Sequence, residues 1–183
     1  MSMRSYFVYG YGFDVNNVDF GTTLKFIYNH ASTLLQLYNN KAQETLDKIT
    51  ADIKANWGDE NDDIDDEAID NYFDDIMDPD DVSDDMYDAL ENITENEPED
   101  MRMFDTVAQI MTRETGITIN YEQGQPDECV GDPALIFPMC YPWECNEKEK
   151  NLTEDDLNDI LTPYINEFGL ESKPMSLEIE YYG

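Results

Sequence analysis

The feature that most constrains this chain is a run of acidic residues through its middle. Residues 59–100 contain 21 Asp and Glu residues and no Lys or Arg. Apolar residues recur through the same stretch at three- and four-residue steps, namely Ile64, Ala68, Tyr72, Phe73, Ile76, Val82, Met86, Leu90 and Ile93. That spacing is typical of amphipathic helices with one buried face. The stretch is therefore predicted to form two short helices, separated near Pro79, whose exposed faces are acidic.

The excess of acids dominates the composition of the whole chain. Its 43 Asp and Glu residues outnumber 10 Lys and Arg residues and give a formal net charge of −33. This self-repulsion destabilises a compact state, so a purpose other than folding is expected to favour it. Apolar residues at 40% and aromatic residues at 12% argue against a wholly disordered acidic protein. A length of 183 residues suits one domain, or a small domain that carries one large insertion.

The N-terminal third combines a strand pattern with a helix pattern. The segment Arg4–Tyr9 is rich in aromatic and β-branched residues, which favours a strand, and the glycines of Gly10–Gly12 predict a tight turn after it. Over Thr22–Trp57 apolar residues recur at helical steps. They predict one long amphipathic helix, or two in series, closed by Gly58. Trp57 ends the apolar stripe and is expected in the core.

The same signals predict the remaining elements and the fold class. These elements are a helix from Pro98 to Gly116, strands at 117–121 and 134–137 in a hairpin, a capped helix from Thr153 to Gly169, and a final strand at 176–181. We predict an α+β fold, in which a small, mainly antiparallel sheet from both chain ends packs on the long helix. Residues 1–58 and 101–183 are predicted to form this core, and residues 59–100 an acidic helical insertion.

Residue patterns for catalysis or for a cofactor are missing from the sequence. The chain has one His, no nucleophile elbow and no phosphate-binding glycine loop, so an enzyme is not predicted. Cys129, Cys140 and Cys145 form no CxxC pair, and with His30 they are spaced poorly for zinc, so buried thiols and no metal are expected. No stretch approaches the roughly 20 apolar residues of a membrane span, and the first residues lack a signal peptide. The expected location is cytoplasmic.

The charge density of the acidic stretch is similar to that of a nucleic acid. Residues 62–78 carry nine acids and residues 80–91 carry six. At a helical rise of about 1.5 Å per residue, each segment presents roughly one negative charge per 3 Å. A single DNA strand carries one phosphate per ~3.4 Å and a duplex one per ~1.7 Å of axis. Like charges at these helical spacings repel each other, whereas an ordinary solvated helix face mixes the two signs.

These observations predict a surface that binds a basic protein. Its expected residues are the acids of the two helices and two aromatic residues of a proline-rich loop, namely Asp62, Asp63, Asp66, Glu67, Asp70, Asp74, Asp75, Asp80, Asp81, Asp84, Asp85, Asp88, Tyr141 and Trp143. Direct binding to nucleic acid or to a membrane is not expected, because the net charge repels phosphate. Halophilic adaptation is disfavoured, because it spreads acids over the whole surface and residues 22–54 are nearly balanced in charge.

In size, in charge and in the acid cluster at 59–100, the chain resembles phage-type DNA-mimic inhibitors, the class of anti-restriction and anti-CRISPR proteins. The resemblance is one of physical character and covers about a quarter of the chain. It implies that the helices occupy a site built for target DNA on a nuclease or CRISPR effector, in the bacterial host cytoplasm if the protein is phage-encoded. One alternative is an acidic module that shields another basic nucleic-acid-binding protein. A less favoured alternative is an enzyme with an acidic insertion.

Overall fold

A computed structural model describes residues 5–57, 64–94, 103–123, 132–139 and 143–182. In chain order its helices and strands are β1 (Ser5–Asp14), α1 (Phe20–Asn29), α2 (Ala31–Tyr38), α3 (Asn40–Trp57), α4 (Asp66–Asp74), α5 (Asp84–Thr94), α6 (Met103–Thr115), β2 (Asn120–Glu122), β3 (Ala134–Pro138), α7 (Glu154–Glu167) and β4 (Met175–Tyr182). The chain forms two compact units, one of residues 1–18 and 111–183 and the other of residues 19–110. Arg4, Gly58, Pro98, Cys129 and Cys140 lie outside the described residues.

The first unit contains a four-stranded antiparallel sheet. Its strand order is β2-β3-β1-β4, so the N-terminal strand β1 pairs on both sides with strands from the C-terminal third of the chain, β3 and β4. On one face Ala134, Ile136 and Ile179 are buried together. On the opposite face Phe13 of β1 packs against Phe168, at the end of α7, with ring centroids 6.3 Å apart. The predicted α+β class and the antiparallel sheet from both chain ends are confirmed.

The predicted turn at Gly10–Gly12 is wrong, because β1 runs through these residues without a break. Gly12 pairs with Ile136 of β3, and a Cβ on Gly12 would lie 2.8 Å from the Cα of Ile136. The glycine is therefore explained by the close approach of the neighbouring strand and not by a turn. A sequence pattern cannot distinguish these two uses of glycine, because the second depends on a strand more than 120 residues away.

The elements before and after α7 follow their sequence signals closely. Thr153 and Asp156 form a reciprocal capping box at the start of α7. The backbone nitrogen of Thr153 lies 2.9 Å from Asp156 Oδ2, and the backbone nitrogen of Asp156 lies 3.2 Å from Thr153 Oγ1. Gly169 follows the helix with a φ of +67°. The predicted hairpin is confirmed by the antiparallel pairing of β2 with β3. Its first strand begins at Asn120 instead of residue 117, because the N–H of Thr118 donates to the Glu149 side chain and not to a neighbouring strand.

The second unit is helical. The apolar period over residues 22–57 forms three helices and not one or two, because the chain breaks at His30 and again at Asn39, whose φ is +51°. Helix α3 contacts α2, α4 and α5, and α1 contacts α4. The predicted insertion, residues 59–100, falls inside this unit together with α3. The long helix belongs to a different unit from the sheet, so the predicted packing of one on the other stays a prediction.

Candidate partner-binding surface

The acidic helices, defined as α4, the short 3-10 turn Pro79–Asp81 and α5, present their carboxylates to solvent. Every predicted acidic site residue that the structure describes is exposed, namely Asp66, Glu67, Asp70, Asp74, Asp75, Asp80, Asp81, Asp84, Asp85 and Asp88. Asp62, Asp63 and Tyr141 lie outside the described residues. Trp143 belongs to the first unit and is 77% exposed. The structure thus brings the described acids together on two consecutive helices of one unit.

The opposite faces of these helices hold them on the unit. Tyr72 and Phe73 of α4 are buried, and so are Met86, Leu90 and Ile93 of α5. Both helices contact α3. Full burial of one such side chain contributes roughly 1.5–3 kcal/mol. The apolar stripe therefore fixes each helix while its acids point away from the core.

Some of the acids have a local structural role. Asp65 precedes α4 and accepts the backbone N–H of Ala68 at 2.8 Å, which caps the helix. Asp81 Oδ2 accepts the backbone N–H groups of Met77 and Asp78, at 2.9 and 3.1 Å, and closes the turn between the helices. These carboxylates satisfy N–H groups that a helix or turn otherwise leaves unpaired. Their presence is explained by the fold.

The first turns of the two helices also favour acids. Asp66 and Glu67 lie in the first turn of α4, and Asp84 and Asp85 lie in the first turn of α5. A negative side chain near the positive end of the helix dipole stabilises by typically 0.3–1 kcal/mol. These four acids are compatible with a purely structural role.

Two lysines offset part of the negative charge. Lys25 Nζ lies 3.0 Å from Asp70, and Lys48 Nζ lies 3.1 Å from Asp85. Both pairs are largely exposed, and exposed pairs contribute about 0–1 kcal/mol. Asp70 and Asp85 thus have cationic partners inside the same unit.

Asp78 caps the 3-10 turn, and Asp80 lies in its first turn. Among the described acids of residues 64–94, four remain that no cap, first turn or cation explains, and we call Asp74, Asp75, Asp88 and Glu91 the uncompensated acids. Asp74 ends α4 and Asp75 follows it, and Glu91 lies in the last turn of α5, where neither helix carries a basic residue. A carboxylate at the negative end of a helix dipole is unfavourable by roughly 0.3–1 kcal/mol. Asp88 is four residues after Asp84 and three before Glu91, so it repels both. Within the described part of the chain none of the four has a lysine or arginine partner.

The charge density along the helices is lower than the sequence predicted. Helix α4 has nine residues and four acids, and α5 has 11 residues and four acids. The helices therefore present roughly one charge per 3.4 Å and per 4.1 Å of axis. The prediction of nine acids on one helix over residues 62–78 is wrong, because α4 ends at Asp74 and residues 75–83 form the connection to α5. The charge spacing of α4 matches a single strand and not a duplex.

A cavity of about 340 Å³ opens beside the end of α4. Its lining residues are Asn56, Trp57, Tyr72, Asp75, Ile76 and Asp81. Trp57 is 40% exposed, so the prediction that it is buried in the core is wrong. The apolar period places Trp57 on the packed stripe of α3, but the helix ends at this residue. This cavity could not be predicted from the sequence, because it is lined by three segments that meet only in the folded unit.

The wall of this cavity contains a buried hydroxyl. Tyr72 is 6% exposed, and burial, followed by the negative charge of Asp52, raises its pKa well above the usual range. Asp52 raises this pKa both by its charge and as a hydrogen-bond acceptor, yet the contact lacks normal hydrogen-bond geometry, so the hydroxyl has no regular partner among the described residues. Asp52 itself accepts a hydrogen bond from the Ser83 hydroxyl at 3.1 Å. Most buried polar groups are paired, so the Tyr72 hydroxyl is an exception.

A second cavity, of about 540 Å³, lies within the first unit and was not predicted from the sequence. Tyr11, Phe137 and Leu157 contribute its apolar wall, and Cys145 and Glu149 line it as well. Burial alone would raise the pKa of Glu149, but the N–H groups of Asn146 and Thr118 lower it overall. Glu149 therefore serves as an ionised acceptor for the backbone, and this role does not suit a general acid near neutral pH.

Three further findings concern metal ligands, membrane spans and the single histidine. No group of three or more His, Cys, Asp or Glu side chains within residues 5–57, 64–94, 103–123, 132–139 and 143–182 is arranged to hold a metal ion. In the same ranges no helix is long and apolar enough to span a bilayer. His30 stacks on Phe26, with ring centroids 4.2 Å apart.

Comparison of the chain with protein-family models, with curated proteins and with solved structures finds no match. The function proposed below therefore rests on the residues of this chain alone.

Proposed function

We propose that this protein is an acidic inhibitor that mimics nucleic acid and blocks the DNA-binding surface of a nuclease, such as a CRISPR effector or a restriction enzyme. The acidic helices form the binding surface. Their carboxylates take the place of phosphates opposite Lys and Arg side chains of the partner. The release of counterions from both surfaces on association favours the complex, as it does for DNA.

One observation carries this proposal, namely the uncompensated acids Asp74, Asp75, Asp88 and Glu91. Folding favours a cation or a neutral residue at the end of α4 and in the last turn of α5. Both positions carry carboxylates instead, and their neighbours along the helix are also acidic. Residues that oppose the stability of the free protein in this way are expected where a binding surface is under selection. A basic partner supplies the missing cations.

The partner is a protein and not DNA, because a net charge of −33 repels phosphate. Binding is expected to be fast and strongly dependent on ionic strength, since exposed charges are screened beyond about 10 Å in 0.1 M salt. In the first unit Trp143 is exposed and offers an apolar contact of the kind found in interface hot spots.

The test begins with capture of bacterial lysate proteins on the immobilised chain, followed by purification of each captured protein. The purified partner is then bound to labelled duplex and single-stranded DNA, and the chain is added as a competitor. We expect the chain to displace DNA and to stop cleavage at stoichiometric concentrations. A partner that binds its DNA and the chain at the same time would contradict the proposal. It would favour the alternative, a module that shields a basic protein away from its DNA site.

Two matched variants locate the binding surface. The surface variant carries Asp74→Lys, Asp88→Lys and Glu91→Lys, and the control variant carries Asp159→Lys, Glu171→Lys and Glu178→Lys. All six positions are exposed, and both variants change the net charge equally. Disrupting close charge pairs in the surface variant should weaken binding at least about thirtyfold, which corresponds to ~2 kcal/mol. The control variant should bind nearly as the parent does. Equal losses in both would show that net charge, and not the acidic helices, determines binding.

A further inference from the structure

We infer that the cavity beside the end of α4 is a binding site for one guanidinium group, and that it receives an arginine side chain of the partner. The inference rests on the proposed function in one respect, because the arginine is taken to belong to the protein that the acidic helices bind. The cavity is defined by its own lining residues, so the binding of a guanidinium group there can be tested without any partner.

The cavity combines an aromatic ring with carboxylates around one small space. Trp57 is 40% exposed, and it lines the cavity together with Asp75 and Asp81. Indole is the strongest aromatic partner for a cation, and a carboxylate accepts the paired N–H groups of a guanidinium in one plane. A volume of about 340 Å³ is at the small end of ligand sites and suits one long side chain.

Tyr72 also lines this cavity, and its buried hydroxyl has a weak contact with Asp52 but no hydrogen bond of normal geometry to any described residue. A buried hydroxyl without a regular partner is unfavourable, because it has given up its hydrogen bonds to water. Its oxygen can accept an N–H group, whereas its proton is directed most favourably towards the nearby negative charge of Asp52. A ligand rich in N–H donors satisfies this arrangement, and a ligand with only acceptors does not.

Arginine is favoured over lysine by the same walls. A guanidinium has five N–H donors in a planar fork, is more weakly hydrated than an ammonium, and stacks flat on an aromatic ring. Asp75, Trp57 and Tyr72 line the cavity, and their side chains carry a carboxylate, an indole ring and a single hydroxyl oxygen. The ammonium of lysine is a compact charge that loses more hydration on entering such a space.

The probe for this site is N-acetyl-arginine amide, and the reporter is Trp57. The chain contains two tryptophans, so the substitution Trp143→Phe in the full chain leaves Trp57 as the single indole fluorophore. At a constant ionic strength of about 0.15 M, screening weakens nonspecific attraction to the acidic surface. We expect the arginine probe to change Trp57 emission with saturation, and N-acetyl-lysine amide to need at least about fivefold higher concentration.

Two substitutions test the walls of the cavity. Asp75→Asn should weaken the arginine probe about fivefold or more, whereas Asp74→Asn, its exposed neighbour that does not line the cavity, should change it less than about twofold. Tyr72→Phe should weaken the probe and change the melting temperature little, because the hydroxyl that it removes is buried and has no hydrogen bond of normal geometry. Tyr164→Phe, at a buried tyrosine of the first unit, serves as its control. Circular dichroism verifies the fold of each variant.

The inference is overturned if the arginine and lysine probes act alike, if the emission change does not saturate, or if Asp74→Asn and Asp75→Asn weaken the probe equally. Each of these results indicates attraction to a charged surface without a defined site. They leave the proposed function intact as long as the surface variant loses its partner and the control variant does not. Conversely, a saturable arginine site in a chain that displaces no DNA supports the cavity and contradicts the DNA-mimic proposal.

Discussion

The Oε1 atom of Glu149 accepts the backbone N–H of Thr118 at a distance of 2.6 Å. Its other carboxylate oxygen accepts the N–H of Asn146 at 2.7 Å, so one buried side chain joins two segments of the first unit. The ionised form makes both bonds well, and the N–H groups lower the pKa of Glu149 against the opposing effect of burial. A carboxyl whose pKa is lower in the folded state stabilises the fold above its unfolded pKa. That contribution is lost as the pH falls through the folded pKa.

Glu149→Gln is therefore expected to destabilise the protein at pH 7. A hydrogen bond to a charged group contributes about 1.5–3 kcal/mol, and the amide also turns an NH₂ group towards a donor, so the loss should be on the order of 2 kcal/mol. Urea unfolding from pH 7 to pH 3 measures it. The difference from the parent should shrink below the unfolded pKa of about 4.3. Glu147→Gln, at an exposed neighbour, is the control, and an equal loss there would contradict the role given to Glu149.

Gly21→Ala tests the close approach of α1 to the end of α4. A Cβ on Gly21 would lie 3.3 Å from the carbonyl carbon of Ile76 and closer still to the carbonyl oxygens of Phe73 and Ile76. Backbone atoms cannot rotate away as a side chain does, so the helices would have to separate. Overpacking of this kind typically destabilises by 1–3 kcal/mol, and we expect a loss in that range in thermal or urea unfolding. A stability equal to that of the parent would show that the two segments are not in close contact.

The sequence predicts those parts of this fold that are encoded locally. Alternating residues in β4, the capping signal at Thr153 and the apolar stripes of α4 and α5 each act over a few residues, and the structure has all of them. Gly12 and Trp57 were interpreted wrongly, because their environments depend on residues distant in sequence. The acidic surface was predicted from charge alone. Its acids could be divided into capping, paired and uncompensated ones only once the ends of the helices and the positions of Lys25 and Lys48 were known.

Screening of the acidic surface should stabilise the free protein. The acids of residues 64–94 are exposed in large part and have few cations nearby, so their mutual repulsion exceeds the attraction in pairs such as Lys25–Asp70. Moderate NaCl or millimolar Mg²⁺ is expected to raise the melting temperature by about 2–4 °C, as for a gain of ~1 kcal/mol. Thermal scans across salt concentration measure this rise. A melting temperature that does not change with salt would indicate that the repulsion is already neutralised.

The surface variant defined above is expected to be more stable than the parent while it binds its partner less well. Asp74→Lys places a cation at the negative end of α4, four residues after Asp70. Glu91→Lys places a cation in the last turn of α5. Asp88→Lys places a cation four residues after Asp84, with the acid on the N-terminal side, which is the more favourable order.

Together these changes should stabilise the free protein by about 1–2 kcal/mol, equivalent to a rise of roughly 2–8 °C in melting temperature. Thermal unfolding of the two variants and the parent in low salt measures the effect. The control variant removes the same number of negative charges, but none of its three positions lies in the last turn of a helix, where a cation is favoured. Its melting temperature should rise less. If both variants gain equally, the repulsion is spread over the whole protein, and the positions of Asp74, Asp88 and Glu91 are not specially unfavourable to folding.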